Sequence, residues 1–334
     1  MFFAILGKNK DISLDELKFI KAQNIKQIDN LIISFETNFP ERLNLLGGII
    51  KRGKIVNKDE LIKILGNTKL LGTQDKALGI KFKKEYKIKR FKITDLLHTD
   101  KEVKEKGKEI IKIKSDFGLV EGYQNIYLYE VIDFDKPARD MKMGMMPSKL
   151  THIMINIGLT NIEGNPTIYD PFAGSGTTGF LTNYFGHNFI GSDIKTNYLL
   201  QNLERRQSNK LSKINKFEIF QQDIFQPIII NNENLVIVTE GRLGPIVRDN
   251  TTLNQIEKYQ KQVIETYKEL IHRTHEIKAK RAVFTIPYYV GYDNEIEDQI
   301  QNLSLNLGLQ FRSIPEIYKR ENQKVGRKII IIDI

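Results

Sequence analysis

The residues best suited to chemistry lie between positions 170 and 242. The segment Asp170-Pro171-Phe172-Ala173-Gly174-Ser175-Gly176-Thr177-Thr178-Gly179 puts a carboxylate, a proline and three glycines into ten residues. It follows an apolar run and opens a helical pattern. Glycines there let a ligand approach the backbone, and the helix start offers free N–H groups. Asp193 ends the next apolar run, where a ribose-binding carboxylate belongs. Asp223 ends the run after that, within reach of an adenine ring. The three carboxyls define one crevice at the C-terminal ends of three successive strands. Two cofactors compete for it. Gly174, Gly176 and Gly179 spell G-x-G-x-x-G, the dinucleotide fingerprint, with an acid downstream. The preceding Asp-Pro-Phe argues otherwise. A carboxylate inside the turn repels a pyrophosphate but suits the cationic sulfonium or amino group of S-adenosyl-L-methionine.

The elements that position this segment follow from hydrophobic periodicity. Strands are expected at 167–172, 188–193, 217–223, 235–240 and 281–287, with helical segments between most of them. The clearest helix spans about 255–280, with Ile256, Tyr259, Val263, Tyr267 and Leu270 along one face. Two last runs, 314–319 and 328–332, pair as an antiparallel hairpin. This alternation implies an α/β fold, a mostly parallel sheet with helices on both faces. A further helix starts at Pro147, a residue favoured in the first helical turn. Five of the six methionines, Met141, Met143, Met145, Met146 and Met154, lie in or beside it as an adaptable core seam or the lining of a cleft.

The first 56 residues form a small α/β module. Strands are expected at 2–6, 31–35 and 49–56. Ser13-Leu14-Asp15-Glu16 and Asn57-Lys58-Asp59-Glu60 match capping boxes. Segment 43–46 reads as helix-like, 101–112 as a charged helix, and 115–145 as a connection with extended pieces such as 126–132. The domains expected are therefore 1–114, a linker at 115–146, and 147–334.

The formal charge is +10, and its distribution is uneven. The window 51–114 holds 20 basic and 9 acidic residues, a net +11, whereas 151–334 nets +1. A charge run is either a solvated face or a docking surface for nucleic-acid phosphates. The absence of cysteine removes disulfides, thiolate metal sites and cysteine nucleophiles, and five scattered histidines argue against zinc. The N-terminal apolar run is too short for a signal peptide, and no segment reaches the ~20 apolar residues of a membrane span. A soluble, cytoplasmic protein without bound metal is expected.

At the glycine segment the chain resembles class I S-adenosyl-L-methionine-dependent methyltransferases. DPFAGSGTTG is similar to their first motif, and DPFAGSGTT also resembles that of amino-directed DNA methyltransferases. Many of the latter place an Asp-Pro-Pro-Tyr motif before the glycine loop. Here none lies upstream, and a full set of strands lies downstream. FFAILGKNKDISLDEL and PARDMKMGMMPSKLTHIMINIG resemble THUMP-containing tRNA guanine-N2 methyltransferases of the guanosine-10 type. That resemblance implies a Rossmann-like sheet of seven strands ending in a hairpin. It also implies a ferredoxin-like plus THUMP-like N-terminal region that grips tRNA. It further implies cofactor contacts at Asp170, Phe172, Gly174 and Gly176, with Asp193 on the ribose and Asp223 near the adenine.

One departure stands out. The family's catalytic Asp-Pro-Pro-Tyr position reads Thr239-Glu240-Gly241-Arg242-Leu243-Gly244-Pro245 here. In the usual motif a carboxylate or carbonyl accepts a hydrogen bond from the target amine while an aromatic ring stacks on the base. The catalytic candidates are thus Glu240, Thr239 and Arg242. Glu240 suits the acceptor role, or it pairs with Arg242 at the sheet edge. Arg242 suits stacking on a base or binding a phosphate. Arg139-Asp140 either brace the cleft or form a surface pair. Tyr288 and Tyr289 substitute for the missing aromatic or pack. Arg320 and Arg327 read as ordinary surface. The expected activity is methylation of a guanine exocyclic amine of tRNA. The alternatives are a DNA amino-methyltransferase, an RNA-binding protein that keeps the cofactor pocket without catalysis, and an NAD-dependent oxidoreductase.

Overall fold

Apolar residues alternate with short polar turns throughout the chain, and they build two separate sheets. The fold is seen in a computed structural model that describes residues 1–66, 68–135, 138, 146–208 and 216–334. Two compact units result, Met1–Asn125 and Ile126–Ile334.

The first unit runs β1 (Phe2–Leu6), α1 (Lys10–Glu16), β2 (Gln23–Gln27), β3 (Ile32–Glu36), β4 (Ile49–Val56), α2 (Lys58–Leu65) and β5 (Leu70–Thr73). It continues with α3 (Lys76–Glu85), β6 (Arg90–Ile93), α4 (Lys101–Lys106), β7 (Lys108–Ile113) and β8 (Asp116–Tyr123). One eight-stranded sheet has the order β2-β3-β1-β4-β8-β7-β5-β6. Asn57 caps α2 in the expected box, accepting from the Glu60 N–H at 2.9 Å while Glu60 Oε2 accepts from the Asn57 N–H at 3.1 Å.

Several expectations are corrected here. Ser13 and Glu16 lie inside α1 and do not cap it. Glu16 is buried and accepts from the N–H groups of Gly47 and Gly48, both at 2.7 Å. The charged helix stops at Lys106, where the Gly107 N–H closes on the Val103 carbonyl, and the chain continues as β7 because Ile110, Ile111 and Ile113 enter the core. Residues 116–123 are no connection: β8 lies between β4 and β7 within the sheet, so the first unit extends to Asn125. Residues 126–132 are helical rather than extended. The basic window is also not all surface. Lys51 is fully buried in an ion pair with Glu109 at 2.7 Å, and Arg52 is buried against Asn44.

The second unit runs α5 (Ile126–Phe134), α6 (Ser148–Leu159), β9 (Thr167–Asp170), α7 (Thr177–Tyr184), β10 (Asn188–Asp193), α8 (Asn197–Ser208) and β11 (Phe217–Gln221). Then follow β12 (Leu235–Thr239), α9 (Leu253–Glu276), β13 (Arg281–Tyr289), α10 (Ile296–Asn306), β14 (Gln310–Ser313) and β15 (Val325–Asp333). The sheet order is β11-β10-β9-β12-β13-β15-β14. The first five strands are parallel, and β15 runs antiparallel to both β13 and β14. Mixed α/β architecture with a parallel-rich sheet is thus observed. The last hairpin is displaced from its expected place. Its first strand is Gln310–Ser313, and 314–319 contribute the Ile314 N–H bond to the Ile329 carbonyl at 3.0 Å and a bridge between Tyr318 and Arg327. Pro315 has no N–H with which to extend a ladder. Pro147 is the N-cap of α6, one position before the place expected for it. Met146 and Met154 are buried core residues, while Met141, Met143, Met145 and Arg139-Asp140 lie outside the described residues.

From β9 the chain moves outward through β10 to β11, then returns to β12 and moves the other way to β13. The strand order reverses between β9 and β12, and ligands in open α/β sheets bind at the C-terminal ends of strands at such a reversal. Close helix–sheet packing sets this end of the sheet. A Cβ on Gly179 of α7 would lie 2.6 Å from Phe189 and 2.8 Å from Phe217. Gly179 therefore serves helix–strand packing. We expect Gly179→Ala to destabilise the protein by about 1–3 kcal/mol through overpacking, read as a lower urea midpoint with an unchanged m-value.

Candidate functional site

Asp170 ends β9 and is only 3% exposed. Thr239, at the end of the adjacent β12, donates its hydroxyl hydrogen to Asp170 Oδ1 at 2.5 Å. The Phe172 N–H donates to the same oxygen at 3.0 Å. Burial pushes the Asp170 carboxyl up to about 6, against the opposing bonds from Thr239, Thr178 and Phe172. Thr239 is itself fully buried, so it orients a carboxylate and is not placed to meet a substrate.

The glycine turn then folds back on the next strand end. The Gly174 N–H donates to Asp193 Oδ2 at 2.9 Å, and the Lys195 N–H to Oδ1 at 3.0 Å. Asp193 is thereby held in one rotamer at the end of β10. Gly174 and Gly176 have φ of +52° and +88°, a region that favours glycine. A Cβ on Gly174 would meet nothing nearer than 3.7 Å, so its outer face is open to a ligand. A Cβ on Gly176 would lie 2.4 Å from Leu199. Asp223 follows β11 and accepts from the Phe225 N–H at 3.1 Å. Asp170 is thus bonded to Phe172 and Gly174 to Asp193, the Gly176 N–H closes on the Ala173 carbonyl at 2.8 Å, and Asp223 follows the neighbouring strand.

The loop after β12 is tied down from the interior. Tyr267 of α9 donates to the Thr285 carbonyl at 2.5 Å, with the carbonyls of Glu240 and Arg242 both at 3.3 Å. The Thr285 hydroxyl donates to the Glu240 carbonyl at 2.8 Å. The Tyr289 hydroxyl reaches the Leu243 carbonyl at 3.4 Å. Burial holds the Tyr267 hydroxyl far above its ordinary range and pushes Tyr289 up to about 12, so both remain donors at neutral pH. The Glu240 side chain pairs with Arg327 of β15, Nε to Oε1 at 2.6 Å, and not with its neighbour Arg242. Arg242 is exposed. Arg327 is buried, which corrects its reading as ordinary surface; Tyr289 is a packed scaffold residue.

Sequence reasoning missed Arg327, the hydroxyl of Tyr267, and Asn202. The last donates from its amide to the carbonyls of Ala138 and Ser175, both at 3.0 Å, and accepts from the Ala138 N–H at 2.9 Å. Only Tyr267 carried a signal, as an apolar-face residue of the expected helix. Among the described residues no cluster of His, Cys, Asp or Glu is placed to hold a metal ion, and no helix is long and apolar enough to cross a membrane.

A family model described as DNA methylase, of the N6/N4 methyltransferase type, matches residues 19–204, more than half of the chain. The chain belongs to this family. It is an S-adenosyl-L-methionine-dependent methyltransferase of the N6/N4 type, with nucleic acid as its substrate class. No curated protein sequence matches it. Among solved structures, the METTL16 methyltransferase domain is similar at a TM-score of 0.41 and 12% identity, covering 62% of this chain and 94% of that one. A methyltransferase from Pyrococcus furiosus is similar at 0.38 and 13%, covering 62% and 95%. TYW2 of P. horikoshii, in complex with MeSAdo, is similar at 0.36 and 12%, covering 77% and 81%.

The site fits S-adenosyl-L-methionine. The open face of Gly174 admits a ligand against the backbone, and carboxylates at three strand ends suit an amino group and hydroxyls. Because the folded Asp170 carboxyl sits above its ordinary value, its contribution to native stability is present at low pH and lost as pH rises through about 6. A cationic cofactor favours the ionised form. Its affinity should therefore be flat above neutrality and fall below pH 6, by up to about tenfold per pH unit, and Asp170→Asn should abolish that dependence in calorimetry. Asp193→Ala should weaken cofactor binding about ten- to a hundredfold, the loss of one charged hydrogen-bonding group.

Proposed function

We propose that the chain methylates an exocyclic amine of guanine in tRNA. Its second unit acts as a Rossmann-like methyltransferase domain, and its first as a THUMP-like region that captures the RNA. The observation that carries the RNA reading is the set of exposed lysines on α3 and the segment into β6, Lys76, Lys81, Lys83, Lys84, Lys87 and Lys89. They lie in the unit whose opening residues resemble THUMP-containing enzymes. Such a surface binds phosphates without reading sequence, while an unstacked base enters the site at the sheet end. A DNA substrate is the second reading, favoured by the description of the matching family.

S-adenosyl-L-methionine supplies an electrophilic methyl group when bound, with the amine nitrogen forming the new N–C bond and the sulfur keeping the electron pair of the C–S bond. Asp170 holds the cofactor's amino group, with Thr239 and the Phe172 N–H fixing the carboxylate. The turn at Gly174 and Gly176 gives the ligand access to the backbone. Asp193 receives the ribose hydroxyls and Asp223 the adenine. Glu240, which follows Thr239 at the end of β12, accepts the hydrogen bond of the target amine and takes its proton. Arg242, exposed on the same loop, stacks on the base or holds a phosphate. This alignment of donor and acceptor, rather than covalent participation by the protein, accounts for the rate.

Labelled methyl transfer to total tRNA and to duplex DNA, followed by nucleoside mass spectrometry, tests this reading. We expect N2-methylguanosine in tRNA, binding that weakens as salt rises, and a kcat about a hundredfold lower for Glu240→Ala. Transfer to DNA alone would establish the second reading instead.

A further inference from the structure

The family's usual catalytic loop carries two prolines after its acid. Here that loop holds Gly241 and Gly244, with φ of +70° and +82°. Glycine loses the most conformational freedom on folding, so the loop needs other restraints to present one geometry. They come from the protein interior. The Thr285 hydroxyl fixes the Glu240 carbonyl, Tyr267 lies within 3.3 Å of it while bonding the Thr285 carbonyl, and Tyr289 reaches the Leu243 carbonyl. The Glu240 side chain is bonded by Arg327.

The partners of Arg327 make it a rigid clamp. Its backbone is bonded both ways to Tyr318, N–H to carbonyl at 2.8 Å and carbonyl to N–H at 2.9 Å. Its register places it opposite Pro287 of β13. Its side chain is 6% exposed, whereas that of Glu240 keeps 17%. The cation is therefore sealed behind the carboxylate, and the carboxylate retains access to solvent. A charge-assisted hydrogen bond from a buried arginine fixes one oxygen of the carboxylate.

We propose that Arg327 is a positioning residue for methyl transfer. It fixes the Glu240 carboxyl as an acceptor at the end of β12, for the amine's hydrogen bond and for the proton that passes from the amine through the carboxylate to water. This rests on the reading of Glu240 as the amine acceptor.

The test compares Arg327→Met, Arg327→Lys, Glu240→Gln and the Arg327→Met/Glu240→Gln double variant in full-length protein. Methyl transfer is measured on tRNA and on duplex DNA, with calorimetric cofactor binding and thermal unfolding alongside. Arg327→Met should lower kcat about a hundredfold while the cofactor Kd and the nucleic-acid KM stay within about twofold. Arg327→Lys keeps the charge and should recover part of kcat. The double variant buries no lone charge, so it folds even if Arg327→Met does not, and it should be as slow as Glu240→Gln alone. A double variant with wild-type kcat would show that the pair only ties β15 to the loop. So would an Arg327→Met whose loss is matched by weakened cofactor binding and a lower Tm. Failure of the functional reading looks different. Wild-type transfer to DNA alone changes the substrate and leaves the same comparison decisive on DNA. A wild-type protein that binds the cofactor and methylates neither overturns both.

Discussion

A buried side-chain hydrogen bond reinforces the β9–β12 ladder at the C-terminal edge of the second unit's sheet. Thr239 at the end of β12 donates to Asp170 at the end of β9 at 2.5 Å, across the point where strand order reverses. At that point the chain departs to opposite sides, so the crevice is open by topology. The bond also makes a buried carboxylate tolerable. Desolvation raises Asp170 to about 6, and the bonds from Thr239, Thr178 and Phe172 act against it. The bond thus couples the start of the glycine turn at Asp170 to the start of the loop after β12.

The second constraint is the trade of backbone stiffness for interior hydrogen bonding. A proline restricts a loop through its own φ, before any partner is present. The glycines here do the reverse, and their identity is dictated by what they lie against. A Cβ on Gly241 would sit 2.6 Å from the Tyr267 hydroxyl, and one on Gly244 would sit 2.8 Å from that of Tyr289. Hydroxyls and glycines are therefore mutually required. The tyrosines reach the loop carbonyls only because no side chain intervenes, and the loop keeps its left-handed turns only because the hydroxyls hold those carbonyls.

Local patterns were legible in the sequence, and long-range partners were not. The glycine turn, the strand ends carrying Asp170 and Asp193, the apolar face of α9 and the cap at Asn57 all follow from spacing within ten residues or so. Ser13-x-x-Glu16 had the right local spelling, yet Glu16 spends both oxygens on Gly47 and Gly48, which adjoin it only through the tertiary fold. β2 was invisible because all five of its residues are exposed, leaving no alternation to detect. β7 and β8 were hidden among charged neighbours: they form a tight hairpin with each other, but their other partners, β5 and β4, lie far along the chain. Arg327 gave no signal, because a basic residue reads as surface until its carboxylate partner, 87 residues away, is known.

The same limit applies to charge. The window 51–114 nets +11, but two of its cations never reach solvent. Lys51 is sealed against Glu109, whose other oxygen accepts from the Tyr123 hydroxyl at 2.9 Å, and Arg52 is turned onto Asn44. Lys54, Arg90 and Lys92 are matched by nearby carboxylates, which weakens their outward field. Exposed lysines remain on α3 and the segment leading into β6, where Lys81 has Glu85 at 3.9 Å, and equally at Lys101, Lys104, Lys106, Lys108, Lys112 and Lys114. Exposed charges act over roughly one Debye length, about 8 Å at physiological salt, so their placement on a surface matters more than their number in the sequence. The outward charge of the window is therefore smaller than its sequence sum, because some of its cations are buried or matched by carboxylates.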